Sequence, residues 1–355
     1  MQPYMGLGNS LQTAQGGTAG GIGGWVELGR TTLGSAGDTI DVTSLDDKRY
    51  YMVLDWHIDN GSSINSEGVQ FNGDTGSNYA WRESHDGTAD AAFGNRTEAE
   101  IEHLANASDW FSVQYIANLA AKEKLGQGHG IKQTGTGAAT APKRQEFTYK
   151  WANTANAIDQ YTMTNKAAGS YDTGSEVVVL GWDAADTHTS NFWEELIDYT
   201  HSGGAAATST SGTFTAKKYL WCQTFNPAKP SGNNVTLLFN STTGAEYTTR
   251  YNQNGGSDAT LVNRSDGIHL NVEAASGTAT GFFTNIFIVN NSANEKLVMT
   301  HTSSGWTNAG AGVAPARSET VGKWANTSTQ INQIELNGPA SGIPDGTRIK
   351  VWGSD

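Results

Sequence analysis

Cysteine is almost missing: Cys222 is the single one in 355 residues. That excludes an internal disulfide framework and a cysteine-based zinc site. Basic residues are scarce, 22 Lys and Arg against 35 Asp and Glu, for a net charge of −13. Such a chain has no basic patch to neutralise phosphates, so nucleic acid is not expected as a partner. No stretch approaches the roughly 20 apolar residues of a membrane span, so no membrane partner is expected. The opening MQPYMGLGNS has neither a basic stretch nor an apolar core, so no signal peptide is expected. Without one, sequons such as Asn95-Arg-Thr and Asn234-Val-Thr carry no weight. Proline is limited to 7 residues, so the turns fall to glycine, of which there are 43. The glycines are dispersed among aromatic and β-branched residues. That pattern reads as many short strands joined by tight turns, not as disorder.

What the chain does contain is itself, twice. Lys150–Asp183 reads KWANTANAIDQYTMTNKAAGSYDTGSEVVVLGWD, and Lys323–Asp355 reads KWANTSTQINQIELNGPASGIPDGTRIKVWGSD. Both open with Lys-Trp-Ala-Asn-Thr, place Ile and Gln at matching positions (Ile158 and Gln160; Ile331 and Gln333), and close on a glycine turn and an apolar strand. Trp25-Val-Glu27-Leu28 matches Trp193-Glu-Glu195-Leu196 at an offset of 168 (193 − 25). At that offset Tyr51 meets Tyr219, Leu54 meets Cys222, Phe71-Asn72 meets Phe239-Asn240, Tyr79 meets Tyr247 and Arg82 meets Arg250. After a slip of four residues (172 − 168), Glu123-Lys124-Leu125 meets Glu295-Lys296-Leu297. An internal duplication of this extent predicts two folded units. The expected organisation is an N-terminal arm over 1–24, a first domain over 25–183, a linker over 184–192 and a second domain over 193–355. The arm reads either as a flexible tail or as a segment that threads onto a neighbouring subunit. Cys222 reads as a small buried apolar residue.

Within the first copy, Tyr50–Ile58 alternates, so that Tyr51, Val53, Asp55 and His57 share one side and Met52, Leu54, Trp56 and Ile58 the other. Gln70–Asn72, Asp74–Asn78 and Tyr79–Glu83 read as strand, turn and antiparallel partner. Glu98–Ala107 has a helix-like period through Ile101, Leu104 and Ala105, although Ile268–Val272 in the second copy suggests a strand. Gly126–Ala141 reads as a Gly/Thr loop. Regular short strands with turns between them predict a sandwich or jelly roll. The expected fold is all-β, two tandem jelly-roll-like β-sandwiches.

These residues carry a resemblance. Each copy has the Trp-x-Glu-Leu opening, a middle motif (Phe71-Asn72-Gly-Asp-Thr-Gly76-Ser-Asn78-Tyr79 in copy one) and the Trp-x-Asn-Thr…Ile-x-Gln close. The pattern resembles the lectin-like jelly-roll modules of tailed-bacteriophage virion proteins of the tail-fibre and head-fibre type, and covers both copies. It implies a non-enzymatic virion protein, localised to the virion, whose partners are itself and other virion proteins. A double-jelly-roll major capsid protein is the alternative in the same setting. A carbohydrate-binding adhesin that takes a host surface glycan is the alternative of another class.

Chemistry is sparse. No nucleophile elbow, H-E-x-x-H or Walker A pattern occurs, and Gly126-Gln-Gly128-His-Gly130 lacks the context of a dinucleotide loop. Asp74, Asp86 and Asp90 read as turn residues in preference to a calcium site. Glu27 and Glu195 read as structural, not as a glycosidase pair. His57, His85 and His129 all fall in copy one and read as lacking histidine counterparts in copy two. No cofactor or metal is expected. Trp56, Trp81, Trp110 and Trp306 are unmatched between the copies, and an exposed aromatic could stack on a sugar. Trp81 leads into the polar turn Ser84-His85-Asp86-Gly87. Trp81, His85 and Asp86 are therefore the expected ligand-binding residues, in the first domain alone.

Overall fold

The computed structural model describes residues 24–61, 67–102, 107–166, 170–184, 186, 191–228, 235–271, 281–304, 311–312, 314–338 and 342–355. The expected arm, but for Gly24, and Trp306 lie outside them. In the first copy the period-two pattern resolves into twelve strands. They are β1 (Val26–Thr32), β2 (Thr39–Thr43), β3 (Tyr50–His57), β4 (Glu67–Phe71), β5 (Tyr79–His85), β6 (Ala91–Arg96), β7 (Ala99–Glu102), β8 (Trp110–Ala117), β9 (Lys124–Lys132), β10 (Lys143–Trp151), β11 (Gln160–Asn165) and β12 (Glu176–Trp182). The second copy supplies β13 (Glu194–Thr200), β14 (Thr208–Thr213), β15 (Tyr219–Asn226), β16 (Val235–Phe239), β17 (Tyr247–Gln253), β18 (Ala259–Arg264), β19 (Ile268–Asn271), β20 (Phe282–Val289), β21 (Lys296–Ser304), β22 (Ala316–Trp324), β23 (Gln333–Asn337) and β24 (Arg348–Ser354). There is no helix among the described residues.

In copy one an eight-stranded sheet, β1-β12-β3-β8-β9-β10-β5-β6, lies over a four-stranded sheet, β2-β11-β4-β7. Copy two repeats both orders with every strand number raised by twelve. All pairings between these strands are antiparallel. The chain is thus two tandem jelly-roll-like β-sandwiches, as the duplication predicted. Even the irregularities recur: the bulge at Glu27/Gly29 returns at Glu195/Ile197, and that at Tyr79/Trp81 at Tyr247/Thr249.

Three expectations need correction. Residues 99–102 of the helix-like segment form strand β7, paired to β4; cross-strand pairing overrides a short helical period there. Gly126-Gln-Gly128-His-Gly130 lies in the middle of β9 and is not part of a loop. Its inward glycines exist because aromatic rings fill their side-chain space: an added Cβ would meet Tyr149 at 2.2 Å from Gly126 and Trp110 at 2.0 Å from Gly130. Third, the hydrogen-bonded register aligns β3 with β15 at an offset of 169 (219 − 50), because Tyr50 faces Ala117 where Tyr219 faces Val289. Tyr50, Tyr51 and Val53 thus correspond to Tyr219, Leu220 and Cys222. One residue of slip exchanges the two faces of a strand. Cys222 is buried, in the place of Val53 and not of Leu54.

Both faces of each large sheet are apolar, and each has its own use. Tyr51, Val53, Val177 and Val179 point between the sheets of the first sandwich. Met52, Leu54, Trp56, Phe111, Ile131, Val178 and Leu180 point outward and pack against Trp193, Tyr219, Phe287, Val289, Leu297, Met299 and Trp352 of the second copy. The continuous run Val177–Leu180 is explained by burial on both faces. The two large sheets therefore meet face to face, and each fully buried aliphatic or aromatic side chain there contributes about 1.5–3 kcal/mol. Polar pairs ring this core. Glu176 accepts from Lys218 Nζ at 2.9 Å and the Tyr219 hydroxyl at 2.8 Å, and Gln133 donates to Glu295 at 2.8 Å. Arg144 pairs with Asp258 at 2.8 Å and Glu319 at 3.0 Å.

Candidate functional site

The structure places the residues expected to bind a ligand in different surroundings, with Trp81 at the edge of the groove described below. Trp81 points into the first core, is 5% exposed and stacks on Phe93 at 3.9 Å. Alternation along β5 sends Arg82 outward and Trp81 inward, so little of the indole reaches the surface. His85 rests against Glu83 at 3.1 Å. Asp86 pairs with Arg250 of the second domain at 3.2 Å and accepts the Arg144 amide at 3.1 Å. His129 does have a counterpart: His301, at an offset of 172 (301 − 129), lies directly against it with 3.2 Å between Nδ1 and Nε2.

Polar residues present in both copies serve the fold. Asn72 and Asn240, at φ of 53° and 51°, occupy the left-handed region that Asn tolerates. Each accepts two successive amides, of Asp159 and Gln160 or of Asn332 and Gln333. Lys124 donates to the carbonyls of Ala120, Lys122 and Asn153 beneath Trp151, and Lys296 donates to those of Ser292, Asn294 and Asn326 beneath Trp324. Both indoles are buried and need an acceptor. Trp151 donates to Asp74 at 2.7 Å, whereas Trp324 donates to Glu246 at 2.8 Å. Asp74 also accepts from Asn78 and Gly76, so its oxygens are spent on the turn.

Copy-specific chemistry lies inside the first sandwich. Asp55 accepts from Ser112 at 2.7 Å, from Tyr161 at 3.2 Å and from Gln114, whose amide oxygen takes the Tyr149 hydroxyl at 2.7 Å. Burial pushes the Asp55 carboxyl up to about 7. Deeper along β3 stand His57, Glu67, Glu102, Lys132 and Tyr171, each fully buried. Glu67 faces Glu102 across the β4–β7 ladder, and Lys132 bonds Glu102. His57 Nδ1 approaches Glu67 at 2.5 Å. Burial raises Glu67 to about 8 and Glu102 to about 7, the latter against the pull of Lys132. In copy two the ladders put Thr224, Asn226, Val235, Asn271 and Ser304 in the places of Asp55, His57, Glu67, Glu102 and Lys132, and Ile343 in that of Tyr171. Sequence reading missed this cluster because its members are single residues spread over 115 positions (171 − 57 + 1); the signal was present in that all of them are unmatched.

A second feature is an open groove of about 830 Å³ on the outer face of the first large sheet, where the second domain does not reach. Trp25, Tyr50, Tyr115 and Trp182 flank it, with Tyr50 stacked on Trp182 at 5.6 Å, and Gln127 and Lys150 among its polar residues.

No protein-family model matches the chain, and no curated protein matches it. Among solved structures the chain is similar to "Mouse laminin alpha1 chain, domains LG4-5", at 9% identity over 94% of this chain and 92% of that one, with a TM-score of 0.21. What the chain's own sheets define is a class: an all-β protein of two tandem jelly-roll-like sandwiches.

Proposed function

We propose that the chain is a non-enzymatic structural component of a virion, of the fibre, decoration or capsid-associated kind, assembling with copies of itself and with other virion proteins. The virion setting is supported by the sequence resemblance. The assembly role is supported by one observation. Of the six large apolar residues left exposed among those described, Tyr50, Leu125, Phe225 and Phe283 lie on outer faces of the large sheets, beside the interdomain core, and Leu119 sits in the turn before Leu125. These sheet halves have the composition of a contact surface and no cover from the described residues. Sedimentation of the whole chain over a range of concentrations tests the proposal. Association is expected, weakened by Leu125→Asp and by Phe283→Asp; a monomer at every concentration that also fails to bind virions would refute it.

The aromatic groove favours a second reading, a carbohydrate-binding surface for a host glycan. Tyr50, Tyr115 and Trp182 would take the stacking role first sought in Trp81, with Gln127 and Lys150 as hydrogen-bonding groups. Titration of host surface glycans against Tyr115→Ala decides it: binding lost in the variant supports the reading, and binding unchanged or absent from the start rejects it.

A further inference from the structure

The His57 cluster has an electrostatic problem that its own hydrogen bonds do not solve. His57 Nε2 lies 3.2 Å from the Ser108 carbonyl oxygen, so the proton sits on Nε2. That leaves Nδ1 a bare lone pair, aimed at a Glu67 oxygen 2.5 Å away. His57 Nδ1, both Glu67 oxygens and Glu102 Oε2 make no hydrogen bond, and all three residues are fully buried. The Tyr171 hydroxyl stands close enough to Glu67 to favour its carboxylate, but it falls short of full hydrogen-bond geometry to it. Lys132 bonds the other oxygen of Glu102. Several electron-rich atoms thus converge on one dry space, and either a proton between Glu67 and His57 or a cation must lie there, since leaving them bare costs several kcal/mol.

We propose that His57, Glu67 and Glu102 form a buried site for one divalent transition-metal ion of the zinc type in the first sandwich. One nitrogen and two carboxylate oxygens are a donor set such an ion takes. The ligand atoms lie within 4.8 Å of one another. With metal–ligand distances of about 2.0–2.2 Å, bound ligands stand roughly 3.3 Å apart, so Glu67 has to draw back from His57 by about 0.8 Å. The outer partners are already placed: the Ser108 carbonyl fixes the histidine tautomer, and Lys132 holds Glu102 while leaving Oε2 for the ion. The ion would tie β3 of the large sheet to β4 and β7 of the small one. Domain two has no equivalent, since Asn226, Val235 and Asn271 stand there.

Because the site is closed, the ion enters as the chain folds, and the test uses refolding. The whole chain is unfolded in chelator, refolded with a slight excess of Zn²⁺ or Co²⁺, dialysed and assayed for bound metal. One ion retained per chain is expected, with a Co²⁺ absorption spectrum of a low-coordinate nitrogen–oxygen site and a melting temperature above that of chelator-refolded protein. Loss of a supporting outer contact weakens metal sites by about 10–100-fold, so removal of a ligand by Glu67→Gln or His57→Asn should weaken retention by at least ~100-fold. A folded whole chain that retains no ion and melts at the same temperature with and without metal would overturn the proposal, and would leave a proton shared by Glu67 and His57 as the bridge. Retention unchanged in both variants would overturn it too. If a variant fails to fold, the stoichiometry and Co²⁺ spectrum of the native chain still decide.

Discussion

The two sandwiches share a frame and differ in filling. Strand orders, the bulges of the large sheets, the lysine beneath the tryptophan and the amide-capping asparagines are the same. Between the sheets, however, domain one holds Asp55, Gln114, Tyr161 and the His57 cluster, where domain two holds Thr224, Ile286, Ile334 and mostly neutral or apolar residues. Space is redistributed as well. Tyr149 of domain one fills the room over Gly126; its place in domain two is taken by Gly322, and Ile268 of the small sheet fills the room instead. A jelly-roll frame is therefore set by its turns, bulges and capped indoles, and its interior can be exchanged provided volume and hydrogen bonding are conserved.

The largest effect expected from breaking the comparison comes from cutting the copies apart. Each domain alone would expose the apolar outer face of its large sheet, so 25–183 and 193–355 expressed separately should aggregate, and co-expression should restore a soluble pair, read by size-exclusion chromatography. Two soluble, well-folded monomers would show that the interface is dispensable. This also means that a ligand cannot be assigned to one domain by expressing it alone.

The exchange of volume gives the next largest effect. A Cβ on Gly322 would meet Ile268 at 2.7 Å, so Gly322→Ala should cost about 1–3 kcal/mol by overpacking. Ile268→Ala restores the residue type of domain one, Ala99, and costs about 2–5 kcal/mol alone. Denaturant melts of the double variant should show the two losses to be less than additive by at least about 1 kcal/mol. Simple additivity would mean that the two positions do not share space.

The indole acceptors sharpen the comparison further. Asp74→Ala strips Trp151 of its partner and should cost about 1.5–3 kcal/mol, and Glu246→Ala should do the same to Trp324. Thr242→Ala, at the position matching Asp74, should change stability by less than about 0.5 kcal/mol. Urea midpoints for the three variants check this, and equal losses at Asp74 and Thr242 would contradict it.

A smaller effect is expected from pH, at the place where each domain meets its own counterpart. Burial, then the adjoining His301, pushes His129 down to about 3, and burial lowers His301 as well. Burial and a hydrogen bond with Glu319 push Glu146 up to about 8, against Arg144 and Arg317. Arg144 also carries Asp258 there. Histidines depressed in the folded state favour folding above their unfolded pKa of about 6.5, and that gain is lost as pH falls toward the folded values. A carboxyl raised in the folded state favours folding below its unfolded pKa of about 4.3, and that gain is lost as pH rises through about 8. These groups by themselves set a peak near pH 6.5 and a fall on the order of 1 kcal/mol by pH 8. Glu146→Gln should reduce the alkaline loss and leave the part contributed by the other raised carboxyls, Asp55, Glu67 and Glu102; an alkaline limb of unchanged size in that variant would assign all of it to those groups.

Much of the frame was legible in the sequence. The repeat Lys-Trp-Ala-Asn-Thr located the two closing units, and the alternation of Tyr51 and Val53 against Met52 and Leu54 separated the two faces that the structure uses as sandwich core and as interface. Three things were not legible. The histidine pair needed the offset of 172, which the eye reached only for longer matches. The strand nature of residues 124–132 was hidden by glycines whose purpose is set by Tyr149, Phe147 and Trp110 on other strands. The burial of Trp81 was hidden because nothing local distinguishes an indole that stacks on Phe93 from one that faces solvent.

The account stands or falls on the two large sheets forming one body. Differential scanning calorimetry of the whole chain measures this directly. A single transition is predicted, with the calorimetric enthalpy equal to the van't Hoff enthalpy, because neither sandwich keeps its outer face covered once the other unfolds. Two resolved transitions, each with its own van't Hoff enthalpy, would contradict it.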